Sequence, residues 1–210
     1  MSRSTEALIA ELAAGARPVR RLRPPTVRAG LWLAGVMLAA AAGILRFADL
    51  AGFVRRTAGP QPGLAWIAAL ATGAVAVVAA AHLALPDRSR RWALAPLPFL
   101  ALWLAASGWG CLGLPVHPDG DSRRCFVFVL ASGLPLTAFL VWRLARARPL
   151  DAPLVAVMAA LGAAGLSAAL LQFFHPFPIT WLDLGVHMAA AAVLLAAGGV
   201  GGAIGQGRKD

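Results

Sequence analysis

Six stretches of the chain, 29–45, 64–86, 92–116, 125–142, 152–174 and 184–205, contain no Lys, Arg, Asp or Glu. Each is long enough, or nearly so, to cross a bilayer, because roughly 20 apolar residues in helical form match a hydrocarbon core of about 30 Å. Ala, Leu, Val and Gly fill these runs with no alternation at every second residue, so a transmembrane barrel is excluded and helices are the only spanning structure left. Composition agrees: 60% of the 210 residues are apolar and 13% charged, against about 45–50% and 25% in ordinary globular chains. A soluble domain, a disordered tail and a disulfide-stapled secreted domain are thereby excluded. The formal net charge of +10 does not point to direct nucleic-acid binding, since the basic residues punctuate apolar runs and form no stripe on a folded domain. The chain reads as an all-α membrane protein with six transmembrane helices.

Orientation follows from where Lys and Arg fall in the short connections. With the N-terminus inside, fourteen of the 19 basic residues lie in inner segments, among them Arg88, Arg90 and Arg91 in one loop and Arg143, Arg146 and Arg148 in another. The outer segments hold Arg46, Arg55, Arg56, Arg123 and Arg124. Both termini are therefore expected in the cytoplasm. The organisation is a cytoplasmic tail over 1–28, a membrane domain over 29–205 and a short cytoplasmic tail over 206–210. The first span is expected to be retained and not cleaved as a signal peptide, because the leader before it is too long for a normal basic n-region.

The N-terminal tail has internal logic of its own. Ser4 or Thr5 can cap a helix with Glu6 in its first turn, Gly15 sits near the expected C-cap and Pro18 lies beyond. Leu8, Ile9 and Leu12 fall on one face of that helix, and so short a helix needs a partner or a bilayer surface to support it. Arg20, Arg21 and Arg23 follow and would be drawn to anionic headgroups. Two readings stand: an ordinary positive-inside anchor, or a short helix that docks in a partner's groove.

Cys111, near the end of the third span, and Cys125, which opens the fourth, are expected at the same outer end of neighbouring antiparallel helices. A disulfide between them requires the third helix to fray near its end, and the alternative is two small buried apolar side chains. Arg123 and Arg124 immediately precede Cys125 and are expected to raise its reactivity. His117 lies in the same outer loop, His175 ends the fifth span, and Asp183 precedes His187 by one turn at the start of the sixth. His, Cys and carboxylate at one place could hold a soft or borderline metal; the other reading is a hydrogen-bonded pair that fixes the packing of the fifth and sixth spans. His82 sits near the inner surface, and Trp32, Trp66, Trp92 and Trp181 fall near span ends as aromatic belts do. The glycines of "GGVGGAIGQG" do not fit a dinucleotide fingerprint and, like Gly35, suit close helix contacts. No Ser-His-Asp set, catalytic carboxylate pair or phosphate loop appears, so no enzyme and no cofactor is expected.

Several composite motifs resemble one family. "LIAELAAGARPVRRLRPP", "RSRRWALAPLPFLALWLAASGWGCLG", "RRCFVFVLASGLPLTAFLVWRLARARPL" and "HPFPITWLDLGVHMAAA" are similar to the tail, third, fourth and last helices of the NrsF-type membrane anti-sigma factors of proteobacteria. One departure is Pro178 after "HPF", where the family pattern leads one to expect an acidic residue. The resemblance implies a protein of the bacterial inner membrane that sequesters an extracytoplasmic-function sigma factor and releases it under oxidative or heavy-metal stress. It implies sensing by Cys111 and Cys125, with His175, Asp183 and His187 carried over in support; His117 in the outer loop is a further candidate there, and the tail around Leu8, Ile9, Leu12, Arg20, Arg21 and Arg23 is the segment expected to bind the sigma factor. A membrane thiol oxidoreductase would use the same outer cysteines but should carry a second redox pair, which is absent. A small metal or solute transporter should place ionisable residues near the bilayer midplane and repeat its halves, and neither pattern is visible.

Overall fold

Close approach between small residues sets the architecture. The computed structural model describes residues 4–15, 23–111, 122–174 and 181–207, and among them there is no strand. The helices are α1 (Thr5–Ala14), α2 (Pro25–Phe47), α3 (Leu50–Thr57), α4 (Pro60–Leu83), a 3-10 turn (Arg90–Leu94) leading into α5 (Leu97–Cys111), α6 (Ser122–Ala145), α7 (Ala152–Leu171) and α8 (Trp181–Gly207). Six segments are long and apolar enough to cross a membrane: Pro25–Phe47, Pro60–Leu83, Arg90–Trp109, Arg123–Ala145, Ala152–Leu171 and Trp181–Gly207.

The boundaries differ from expectation for local reasons. α2 starts at Pro25, ahead of residue 29, because proline at the first helical position has its φ already set and lacks only a donor that would be unpaired anyway. It then runs through Arg46 to Phe47, with the Arg46 guanidinium 5.1 Å from the centre of the Phe47 ring. The third span begins as the 3-10 turn capped by Ser89, and α5 resumes after the buried Pro96. Residues 112–116 of the expected third span lie outside the described residues. Pro135 sits inside α6, tolerable where neighbouring helices support the ladder.

α3 was not anticipated. Asp49 caps it by accepting from the Gly52 N–H at 2.8 Å, and Phe53 then stacks on Phe173 at 4.0 Å. Arg56 donates to the Gln172 carbonyl at 3.2 Å, clamping α3 across the bundle end where α7 finishes. At eight residues it is too short and too basic to show as a hydrophobic run.

α7 is the hub. It packs against α4, α6 and α8 and is buried from Val155 to Leu171 on nearly every side. A Cβ built on Gly73 of α4 would stand 2.7 Å from the Leu166 nitrogen, and one on Gly165 would stand 2.8 Å from the Gly73 nitrogen and 2.9 Å from the Ala69 carbonyl oxygen. The two backbones are thus in contact, as membrane helices achieve with small residues. α8 meets α7 in the same way: a Cβ on Gly198 would approach the Ala156 carbonyl oxygen to 2.8 Å and one on Gly202 the Ala152 carbonyl oxygen to 2.8 Å. In the glycine-rich end of the last span Gly198 and Gly202 therefore make the close contacts expected, while a Cβ on Gly201, Gly205 or Gly207 would meet nothing within 4 Å. Gly35 does not, since a Cβ there would meet nothing within 4 Å.

The tryptophans read as belts are mostly packed inward. Trp66 donates to the Ala169 carbonyl at 3.1 Å, Trp92 stacks on His82 at 3.9 Å and Trp32 is 8% exposed; only Trp181 of the four, at 60%, is open. Each inward ring fills space that the alanine-rich helices leave beside them.

Gly165→Ala should destabilise the bundle by about 1–3 kcal/mol, the usual cost of overpacking, because the new methyl meets backbone that cannot rotate away. Gly30→Ala, where a Cβ has open space, should be neutral. Thermal unfolding in detergent would separate the two, and equal melting temperatures would contradict the backbone contact.

Candidate functional site

The bundle has two ends of different chemistry. At the end where α2 begins, α1 is capped by Ser4, whose Oγ accepts from the Ala7 N–H at 3.2 Å, and Gly15 closes it by donating to the Glu11 carbonyl. Every residue of α1 is exposed; Leu8 is at 45%, Ile9 at 60% and Leu12 at 66%. Arg23 is exposed just before α2, while Arg20 and Arg21 lie outside the described residues. Two basic connections share this end. Arg90 bridges them, its Nη2 2.6 Å from Asp151 Oδ2, and Asp151 also caps α7 through the Leu154 N–H at 3.1 Å. Arg146 lies 3.9 Å over the Trp142 ring. Arg148 takes a left-handed φ of 49°, which turns the chain sharply between α6 and α7. Gln206 near the end of α8 donates to the Leu150 carbonyl at 2.8 Å, so the close of the last helix is tied to the same connection. Exposed pairs such as Arg90–Asp151 add little stability; their part here is to hold two loops in one arrangement.

At the opposite end, the start of α8 buries two polar side chains. Asp183 and His187 are 2% and 6% exposed. They fall on the face of α8 that continues through Ala190, Leu194, Gly198 and Gly202, its other buried positions. Cys125, at 5% exposure, packs in one apolar cluster with Val129, Leu171, Ala190 and Leu194. The structure thus brings Cys125 to the same helix face as Asp183 and His187, while Arg123 and Arg124 are exposed. Asp183 stands in the first turn of its helix, where the positive end of the macrodipole favours a carboxylate. Cys111 closes α5, with its side chain outside what is described; His117 and His175 lie outside the described residues. Among the described residues no group of three or more His, Cys, Asp and Glu could hold a metal ion.

One sequence expectation is corrected. α5 and α6, consecutive in the chain, make little contact among the described residues and form no closely packed hairpin there: α5 lies on α4 with a lighter contact to α8, and α6 lies on α7 and α8. The reason is the fit of α8 to α6, where Leu194 fills the space that the absent side chain of Gly133 leaves. Nothing in the sequence of α5 and α6 alone carries this, since the partner that separates them arrives last in the chain.

Because Cys125 faces inwards, a maleimide should label it at least about tenfold more slowly than a cysteine placed by Arg123→Cys in a Cys111→Ser, Cys125→Ser background, as a local opening costing about 1.4 kcal/mol would dictate. Equal labelling rates in intact membranes would contradict the burial.

Neither the curated proteins nor the solved structures yield a match to this chain. The family described as negative regulator of sigma F, NrsF, matches residues 12–204. Covering nearly the whole six-helix domain and the end of α1, that match makes the chain a member of the NrsF family.

Proposed function

We propose that this protein is an anti-sigma factor of the bacterial inner membrane, a regulator and not an enzyme. It holds an extracytoplasmic-function sigma factor through α1 and releases it under oxidative or heavy-metal stress. The observation that carries the reading is α1 itself: a capped helix with every side chain exposed, Leu8, Ile9 and Leu12 included, in a chain whose family regulates a sigma factor. So short a helix gains little on its own in water, and a hydrophobic groove on a partner would bury those three side chains together. Arg20, Arg21 and Arg23 follow it and would meet acidic groups on the sigma factor or the anionic membrane surface. The basic excess at this end supports a cytoplasmic placement of both termini.

Sensing belongs to the other end. Cys111 and Cys125 are the chain's 2 cysteines. An oxidant that takes two electrons and two protons would leave a disulfide between them, and a thiophilic metal would bridge the thiolates. Since α5 and α6 are not packed together, closing that bond draws the end of α5 across the start of α8, beside Asp183 and His187, with His117 and His175 in the adjoining connections. α8 is tied at its far end to the α6–α7 connection through Gln206, and that connection is tied through Asp151 to Arg90. A shift of α8 therefore has a route to the basic loops beneath the sigma factor. Moving occupancy from 99:1 to 1:99 takes about 5.5 kcal/mol of differential binding, within what loss of a three-residue hydrophobic dock and a few ion pairs supplies.

A reporter driven by the sigma factor tests both halves. Leu8→Asp with Leu12→Asp should leave the reporter on without stress, and silence would remove α1 as the dock. Cys125→Ser should keep the reporter off under peroxide, whereas constitutive expression in that variant would reverse the direction of the switch.

A further inference from the structure

Beside α2 the bundle leaves a cleft of about 720 Å³ that the regulatory reading does not use. Leu31, Trp32, Gly35, Val36, Ala39 and Gly43 form its α2 wall. Phe128, Pro135, Leu136 and Phe139 of α6 face them, with Arg143 at one end and Leu170 of α7 and Phe174 just beyond it also in the lining. Two buried polar atoms near the Arg143 end have no partner among the described residues. Trp32 is 92% buried, being 8% exposed, and its indole N–H finds no acceptor among the described residues. Arg28, one turn before Trp32 on the same face, has a buried Nη1 with no partner among the described residues. Burial and, after it, the like charge of Arg143 both act on Arg28. Two guanidiniums that act on each other with no carboxylate between them among the described residues are expensive to hold in a low dielectric, so the arrangement calls for an anion.

The shape says what kind. From Leu31 to Gly43 the helix rises about 18 Å, a little more than half of a hydrocarbon core of about 30 Å. The cleft is therefore apolar over the depth of one leaflet and cationic at the level of its headgroups. Gly35 leaves open space where a side chain would intrude.

We propose that this cleft is a binding site for an anionic phospholipid. Its phosphate lies between Arg28 and Arg143, an ester oxygen accepts from the Trp32 N–H, and one acyl chain lies along Gly35, Ala39 and Gly43. The lipid supplies the counter-charge that the described residues lack and fills the cleft that α2 and α6 line. The site is independent of the anti-sigma reading, because it uses neither α1 nor the cysteines.

Full-length protein reconstituted in nanodiscs of phosphatidylethanolamine and phosphatidylglycerol, then extracted in mild detergent, would be analysed by native mass spectrometry. Wild type should retain phosphatidylglycerol in preference to phosphatidylethanolamine. Arg28→Gln with Arg143→Gln should lower that retention about thirtyfold, and Trp32→Phe, which keeps the ring and removes only the donor, about fivefold. Gly35→Leu, which obstructs the acyl channel and leaves both arginines, should lower it as well. Equal retention of the two lipids by wild type, or unchanged retention in the arginine variant, would overturn the proposal. So would a lipid-free dimer that Gly35→Leu dissociates, since a second copy would then be the occupant.

Discussion

Everything else in this bundle depends on the contact between α4 and α7. In a bilayer the lipid tails are as apolar as leucine, so burying leucine against leucine drives nothing and helices associate through close packing. Gly73 against Gly162 and Gly165 lets two backbones touch, and the alanines around them (Ala69, Ala76, Ala80, Ala159, Ala163) keep the surfaces flat. With α7 seated on α4, α6 and α8 can close over its remaining faces and α5 can lie on α4 and, more lightly, on α8. α2 joins only at one end, through Ala29 and Trp32 against Ala80 and Ala84, and the cleft beside it results from that partial docking.

The same packing separates two regions that a regulator needs to keep apart. One end holds the exposed helix and the basic connections; the other holds Cys125 with Asp183 and His187 turned inwards. α8 is the element that runs between them, touching Cys125's cluster at its middle, through Ala190 and Leu194, and the α6–α7 connection near its close. Rigid helices with glycine contacts transmit a displacement better than flexible loops, because a close-packed interface has few intermediate arrangements to absorb it.

Much of the architecture is legible in the sequence. The six spans are visible because each lacks Lys, Arg, Asp and Glu, and the close-contact role of Gly198 and Gly202 is visible in the spacing of small residues. Less could be read about which face of a helix points inwards. α4 and α7 are apolar all round, so periodicity carries no direction, and Gly35 looks like Gly198 until its surroundings are known. The order of packing around the hub is likewise hidden: α5 and α6 are adjacent in the chain, yet α8 lies against both. α3 escaped notice because its signal is a single cap, Asp49, followed by one aromatic, Phe53, whose partner Phe173 is far along the chain. In the candidate site, Cys125, Asp183 and His187 stood out as polar or reactive groups in apolar runs, but their inward aim is a property of the α6–α8 contact.

Co-purification tests the central claim most directly: that the exposed N-terminal helix of a membrane bundle is what holds the sigma factor. Protein solubilised in mild detergent from unstressed native membranes, intact or lacking residues 1–15, would be captured and its companions identified by mass spectrometry. A sigma factor recovered with the intact chain and lost without the tail is the predicted result. Recovery in equal amount without the tail, or from neither form, would contradict it.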